Sequence, residues 1–288
     1  MRRARGGTKR AGFTMVELLM VVGIIAVVAA LLVAGVSRVM QVQARTETQS
    51  DITQMTQALN AAKTSYGHIE CLPSQLILYP NAAMYRSGTD NLTKSTANVF
   101  RYMFGKRFIS DSSENLNWGV TVPNTGLPIA GPEVLAFYLG GIPDTTSGPG
   151  TIRFLGFAKD VKNPTLSPNS PDGKGRERTG PFFQYKTGRL VQNPNGFVVY
   201  NDPYGTPYVF FGARTPNNYD PQTILGVSPY FEGANKWLNP NSFQIISAGR
   251  NKAFGQGGQI NPKTGVAPGV GDDDLSNFSS SELGNPIE

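Results

Sequence analysis

"KRAGFTMVELLMVVGIIAVVAALLVAGV" (residues 9–36) decides how the rest of the chain is read. Residues 18–36 form 19 positions without a charge. At about 1.5 Å per residue, a helix of this length approaches the roughly 30 Å hydrocarbon thickness of a bilayer. A carboxylate, Glu17, stands at the head of the run. A charge at membrane depth costs about 2.5 kcal/mol or more and ordinarily marks a function. Five cations (Arg2, Arg3, Arg5, Lys9 and Arg10) precede Gly12 with no acid among them. No comparable cluster follows closely. The positive-inside rule then places the N-terminus in the cytoplasm and everything after about Ser37 outside.

The same cluster explains the net charge. A formal +6 suggests nucleic acid. Without the five N-terminal cations, 21 Lys and Arg remain against 20 acids. The excess belongs to the tip, and no basic stripe interleaved with aromatics is present, so no nucleic-acid partner is expected. A single cysteine, Cys71, excludes an intramolecular disulfide. It forms His-x-x-Cys with the single histidine, His68, but a structural zinc site takes four such ligands. The pair reads as an ordinary polar residue and a small buried thiol where a helix ends.

Three kinds of segment share the outline of residues 9–36. A removable secretory signal, cut near Ala34-Gly35, has an apolar region of about 7 to 15 residues, shorter than this one. A plain anchor leaves Glu17 without a role. The third kind is cut before the apolar run, so that the run is kept. Here "KRAGFTMVELL" resembles the N-terminal signature of type IV pilins and pseudopilins. That signature has a short basic leader ending in Gly, then an aromatic residue, then a hydrophobic stretch with Glu as the fifth mature residue. The resemblance implies that Gly12 ends the leader, that Phe13 becomes the N-methylated first residue, and that Glu17 is fifth. It also implies cleavage by a prepilin peptidase. In such filaments the N-terminal helices share an apolar core, where a carboxylate needs a partner. The partner implied by the family is the new amine of a neighbouring subunit, so Glu17 sets the axial register. A head-to-tail contact of this kind generates an open helical filament.

The helix is expected to continue. Residues 37–66 contain no Gly or Pro, and Ile52, Met55, Leu59, Ala62 and Tyr66 recur at spacings of 3 and 4. Gly67 is a plausible stop. One helix of about 50 residues is predicted, its second half packed on a head rather than forming a coiled-coil stalk. Beyond it, short helices are predicted at residues 98–108 and 133–139. Residues 163–180, "NPTLSPNSPDGKGRERTG", read as an exposed loop. Three β-prone runs follow at residues 197–200, 207–212 and 241–249, the first two separated by the turn sequence Asp-Pro-Tyr-Gly. An antiparallel sheet laid on the amphipathic half of the helix would bury both apolar faces. The fold class is therefore α+β: a long N-terminal helix packed on a C-terminal head with a small antiparallel sheet. The expected divisions are a leader (1–12), a transmembrane part (13–36), an amphipathic part (37–66), an enlarged or inserted head region (67–195) and a C-terminal sheet with an acidic loop (196–288).

"DPYGTPY", "SAGRNKAFG" and "GDDDLSNF" are similar, in order, to three C-terminal motifs of the major pseudopilin of type II secretion systems. In that family the latter two enclose calcium. Residues 9–66 and 197–278 carry the likeness; the middle is unmatched. The resemblance implies Asp273 and Asp274 as ligands, with Asn251 and Asp272 as further candidates. Calcium takes six to eight oxygens, and three adjacent carboxylates repel unless a cation is present. The family's Asp is Asn251 here, followed by Lys252, and the connecting loop at residues 255–271 is longer. A solvated acidic turn is the other reading.

No catalytic motif emerges: there is no Gly-x-Ser-x-Gly elbow and no phosphate-binding loop. The chain reads as a structural pseudopilin-like subunit, not an enzyme, held single-pass in the cytoplasmic membrane with its head outside, in the periplasm of a two-membrane cell. The partners implied are further copies of itself, other pseudopilins, prepilin peptidase, an assembly ATPase, an inner-membrane platform protein and membrane lipid. The alternative is an anchored extracytoplasmic binding protein that forms no filament. An anchored hydrolase is a third reading.

Overall fold

Helix α1 spans Met15–Ser65, 51 residues, close to the predicted length. The computed structural model describes residues 12–67, 69–145, 152–215, 218–219, 222–233, 236–240, 242–267 and 269–287, without the side chains of 33–38 and 187. The basic leader up to Ala11 and His68 lie outside the described residues. The chain divides into two compact units, Met1–Ala44 and Arg45–Glu288.

In the first unit, Met15–Leu32 has a mean hydropathy of 2.8, and none of it is buried within the protein. Leu18, Leu19, Ile24, Ile25 and Leu31 are each 59% exposed or more. This is the length and composition of a membrane span.

In the second unit, the predicted stripe turns inward. Ile52, Met55, Leu59, Ala62 and Tyr66 are all 2% exposed or less. They share one core with Tyr208, Phe210, Phe243 and Ile245. Burying a side chain of this size stabilises by about 1.5–3 kcal/mol.

The first part of this unit is built from short elements. Strand β1 (Gln75–Leu78) pairs antiparallel with β2 (Leu127–Ala130). Between them lie α2 (Met84–Ser87), α3 (Asn91–Phe104) and α4 (Lys106–Ser110). The helix predicted at 98–108 is thus longer and broken. Asp90 starts α3 early by accepting the Thr93 N–H at 2.8 Å. Gly105, at φ +94°, then interrupts the helix in a conformation that other residues rarely adopt. The second predicted helix is α5 (Pro132–Gly140), with Pro at its start. Aromatic side chains fill the space around it. Phe137 meets Phe100, Trp118 and Phe157 at centroid distances of 5.0–5.9 Å. The Tyr66 hydroxyl donates to the Tyr138 carbonyl at 3.2 Å, tying α1 to α5.

Three antiparallel pairs follow: β3 (Pro143–Asp144) with β4 (Arg153–Phe154), β5 (Phe157–Ala158) with β6 (Arg178–Thr179), and β7 (Leu190–Gln192) with β8 (Val198–Tyr200). The stretch 163–180 is less exposed than expected. Asn163 and Thr165 are buried. The Arg178 guanidinium donates to the carbonyls of Leu155, Gly156, Leu166 and Gly175. Polar contacts pin this stretch, and they leave no hydrophobic periodicity to read.

The C-terminal part holds a four-stranded antiparallel sheet in the order β10-β9-β13-β15. These strands are Val209–Thr215 (β9), Asn218–Tyr219 (β10), Phe243–Ser247 (β13) and Leu275–Ser276 (β15). The run expected at 197–200 is β8, which pairs with β7 and not within this sheet. One sheet face carries Phe210, Phe243 and Ile245 toward α1. The other carries Val209, Phe211, Ala213 and Ile246 into a second core with Ile224, Val227, Tyr230, Ile260 and Leu283. Part of that cover is a three-stranded sheet of β11 (Tyr230–Gly233), β12 (Lys236–Trp237) and β14 (Gly258–Gln259). Gly212 lets β9 approach the Leu72 carbonyl so closely that a β-carbon would collide with it.

Polar groups also join helix to head. Asp51, 2% exposed, lies in the buried stripe. Its carboxylate accepts from Arg189 and Lys186, and from the Tyr208 hydroxyl at 3.2 Å. Glu47, one turn earlier, pairs with the same two cations. The Arg189 guanidinium lies 4.8 Å from the Tyr200 ring centroid. Removing one partner of a buried pair costs about 3–5 kcal/mol. Asp51→Ala therefore destabilises the full chain in detergent by about 3–5 kcal/mol, read as a lower urea midpoint. Thr53→Ala, on the exposed face, changes stability by about 0.5 kcal/mol or less.

Candidate functional site

At the N-terminal end, Gly12 to Thr14 precede the helix, and Gly12 and Phe13 are exposed. Thr14 and Glu17 cap α1 reciprocally. The Thr14 N–H and hydroxyl donate to Glu17 Oε2 at 2.8 and 2.9 Å, and the Glu17 N–H donates to Thr14 Oγ1 at 3.2 Å. This is a capping box, which satisfies donors that the helix start leaves open. A negative charge there also complements the helix dipole. The sequence reading assigned Glu17 only to a neighbouring chain. The Thr-x-x-Glu spacing, readable in "FTMVELL", carried the intrachain role as well.

The three C-terminal motifs meet in space. Asp202, 1% exposed, opens the Asp-Pro-Tyr-Gly turn. Its Oδ1 accepts from the N–H groups of Tyr204 and Thr206, both at 2.9 Å. Its Oδ2 accepts the Ser247 hydroxyl at 2.6 Å, joining the first motif to the second. Asn277 joins the third: its side chain accepts the Ile245 N–H at 2.9 Å and donates to the Phe243 carbonyl at 3.1 Å. Both residues belong to the motifs read from the sequence, but their joining of strands does not follow from it. An Asp before a Pro-x-Gly turn was the available signal for Asp202.

The four proposed ligand residues lie around this junction in different states. Asp273 Oδ2 accepts the Asn251 N–H at 2.8 Å, and Asp274 Oδ2 accepts the Gly255 N–H at 2.9 Å. Asp273 Oδ1 is buried without a hydrogen-bond partner among the described residues, whereas the Asp274 carboxyl also faces the Tyr230 hydroxyl. Asp272 accepts the Gly269 N–H at 3.3 Å. The Asn251 side chain is engaged at both ends: its oxygen accepts from Ala253 N–H at 2.7 Å and its amide donates to the Val270 carbonyl at 2.5 Å. Lys252 holds φ +63°, a conformation that non-glycine residues adopt uncommonly. Among the described residues, no three His, Cys, Asp or Glu side chains converge on one metal position. Of the four residues, only Asp273 and Asp274 are adjacent carboxylates turned into the packed loop.

Other features place less chemistry. The Cys71 thiol is half-buried and desolvation pushes its pKa up. A cleft of about 940 Å³ in the unmatched head region is lined by Asn115, Asn117, Thr121, Ser167, Gln192 and Asn195 among others. Its lining holds one cation, Arg178, and one carboxylate, Asp144, so it is polar but close to neutral.

The described geometry defines a class: an α+β protein with an exposed apolar N-terminal helix long enough to cross a membrane, consistent with a single-pass anchor. Compared with known families, residues 7–33 match the prokaryotic N-terminal methylation motif. The chain thus carries a type IV pilin-like prepilin signal, and the match includes Gly12, Phe13 and Glu17. No curated protein and no solved structure matches the chain.

Asp274 supplies a pH signature. Burial, then the charges of Asp273 and Asp272, push its carboxyl up to about 7 against the Gly255 N–H and the Tyr230 hydroxyl. A carboxyl raised in the folded state takes its proton before the unfolded one does, so its stabilisation is present below pH about 4 and is lost toward pH 7. In chelating buffer, this group's share of the melting temperature falls over that interval. In Asp274→Asn the part of the slope due to this group disappears.

Proposed function

We propose that this protein is a pilin-like filament subunit of the pseudopilin type. Prepilin peptidase removes residues 1–12, the Phe13 amine is methylated, and the exposed apolar half of α1 holds the subunit in the cytoplasmic membrane with its head outside. An assembly ATPase and a platform protein then draw it into a helical filament with copies of itself and related subunits. The filament serves type II protein secretion or a related system. The observation that carries the reading is the methylation motif at residues 7–33, set on a helix whose apolar window is wholly unburied. That surface is matched by lipid before assembly and by neighbouring helices after it. Glu17, capped by Thr14 in the single chain, is available at the helix start to meet the amine that cleavage creates in a neighbour.

Calcium belongs to the same proposal as a structural ion. Asp273 and Asp274 would hold it through their carboxylate oxygens, with backbone carbonyls and water completing six to eight oxygens. It would neutralise two adjacent carboxylates and pin the C-terminal loop. The second reading, a binding head without a filament, draws on the neutral polar cleft between residues 115 and 196.

Mass spectrometry of the mature protein tests the first reading. A methylated N-terminus at Phe13 is expected; an intact Met1 or a start near Val36 overturns it. Glu17→Ala is expected to insert in the membrane yet give few filaments, whereas normal filaments would remove the register role. For calcium, addition after chelation raises the melting temperature of the full chain in detergent, and Asp273→Ala abolishes the rise.

A further inference from the structure

Among the described residues, strand β7 pairs with β8 and with no other strand, so one of its edges is open. The flanking bonds fix which groups face that edge. Asn201 N–H donates to the Arg189 carbonyl at 2.9 Å, and Asn193 N–H donates to the Phe197 carbonyl at 2.8 Å. In an antiparallel ladder, hydrogen-bonded pairs alternate with non-bonded ones. The main-chain groups of Arg189, Val191 and Asn193 therefore face β8, and those of Leu190 and Gln192 point away from it. Tyr200, opposite Leu190, shows the same alternation: its carbonyl accepts the Tyr208 N–H on the far side of β8. The outward N–H and carbonyl of Gln192 make no hydrogen bond among the described residues.

Open edges are usually guarded by Lys, Pro or a bulge. The strand reads Leu-Val-Gln and has none of these, and Val191 is 44% exposed. The nearest cations, Lys186 and Arg189, are turned to Glu47 and Asp51. Gln192 and Asn195 line the cleft of about 940 Å³, together with Asn117, Thr121 and Pro143 from another part of the head. An edge set in a cleft admits a single chain more readily than the sheet of a second subunit. No aromatic side chain, on which a sugar ring would stack, is among the described lining residues. Of the two charges there, Asp144 pairs with Arg153 at 2.9 Å and the Arg178 guanidinium donates to main-chain carbonyls. What is left for a ligand is main chain, neutral amides and hydroxyls.

We propose that the open edge of β7 is a docking site for an uncharged polypeptide segment in extended conformation, which adds to the sheet as a strand beside Gln192. Main-chain hydrogen bonds supply the affinity in this mode, and side chains tune it. The edge belongs to the head and needs no filament.

The test is fluorescence anisotropy of the full chain in detergent with a labelled, uncharged Thr-Val-Thr-Val-Thr-Val peptide. Saturable binding is expected. The same peptide N-methylated at every residue keeps its side chains but has no donors, and is expected not to bind. Gln192→Pro removes one N–H from the edge without touching the ladder to β8. It is expected to melt near the wild type and to bind the peptide about 5-fold or more weakly. Gln192→Ala, which keeps the main chain, is expected to bind like the wild type. The methylated peptide decides alone if the proline variant does not fold. Absence of saturable binding overturns the proposal, as does equal binding of the methylated form. Binding of labelled maltohexaose in place of the peptide assigns the cleft to sugars, and self-association that Gln192→Pro abolishes assigns the edge to a second copy; either overturns it.

Discussion

One contact organises the head: the stripe of α1 from Ile52 to Tyr66 against one face of a four-stranded sheet. Everything else adjusts to it. The sheet's other face carries a second core, so the first five residues of β9 are all buried. The enlarged region between helix and sheet packs its aromatic side chains into the same core as the stripe, through Tyr66, Phe137 and Phe157. Gly212 and Gly105 are needed where backbones approach or turn.

Asp51 gives this contact its register. Apolar stripes tolerate sliding better than a buried carboxylate, which is costly unless its partners meet it. The observed placement brings Asp51 to Arg189, Lys186 and the Tyr208 hydroxyl together. The network joins the helix to two distant parts of the chain, and so ties the enlarged region and the sheet to one element.

The two candidate sites share a physical character. At the N-terminal end, an apolar surface stands unburied beside a carboxylate that caps its own helix. At the C-terminal end, Asp273 keeps a buried oxygen without a partner among the described residues, beside a second buried carboxylate, Asp274. In both places the isolated chain leaves something unsatisfied, which is where association or an ion has most to contribute.

What the sequence by itself determined was whatever depends on local periodicity and short spacing. The unbroken helix, its apolar half and its buried stripe were legible because residues 3 and 4 apart share a face whatever lies elsewhere. The processing motif was legible because Gly12, Phe13 and Glu17 sit at fixed offsets. The Thr14–Glu17 cap was equally local, though it was overlooked. Only the tertiary structure decided the rest. The stretch 163–180 looked like a solvated loop because its order comes from Arg178 and Asn163, polar contacts that leave no period. Strand β8 was found correctly but its pairing was not, since register depends on which distant backbone arrives. Asp51 and Tyr230 looked unremarkable because burial is a property of the packed whole. The acidic run announced its charge, but only packing showed that Asp274 is fully buried while Asn251 spends its side chain on the local backbone.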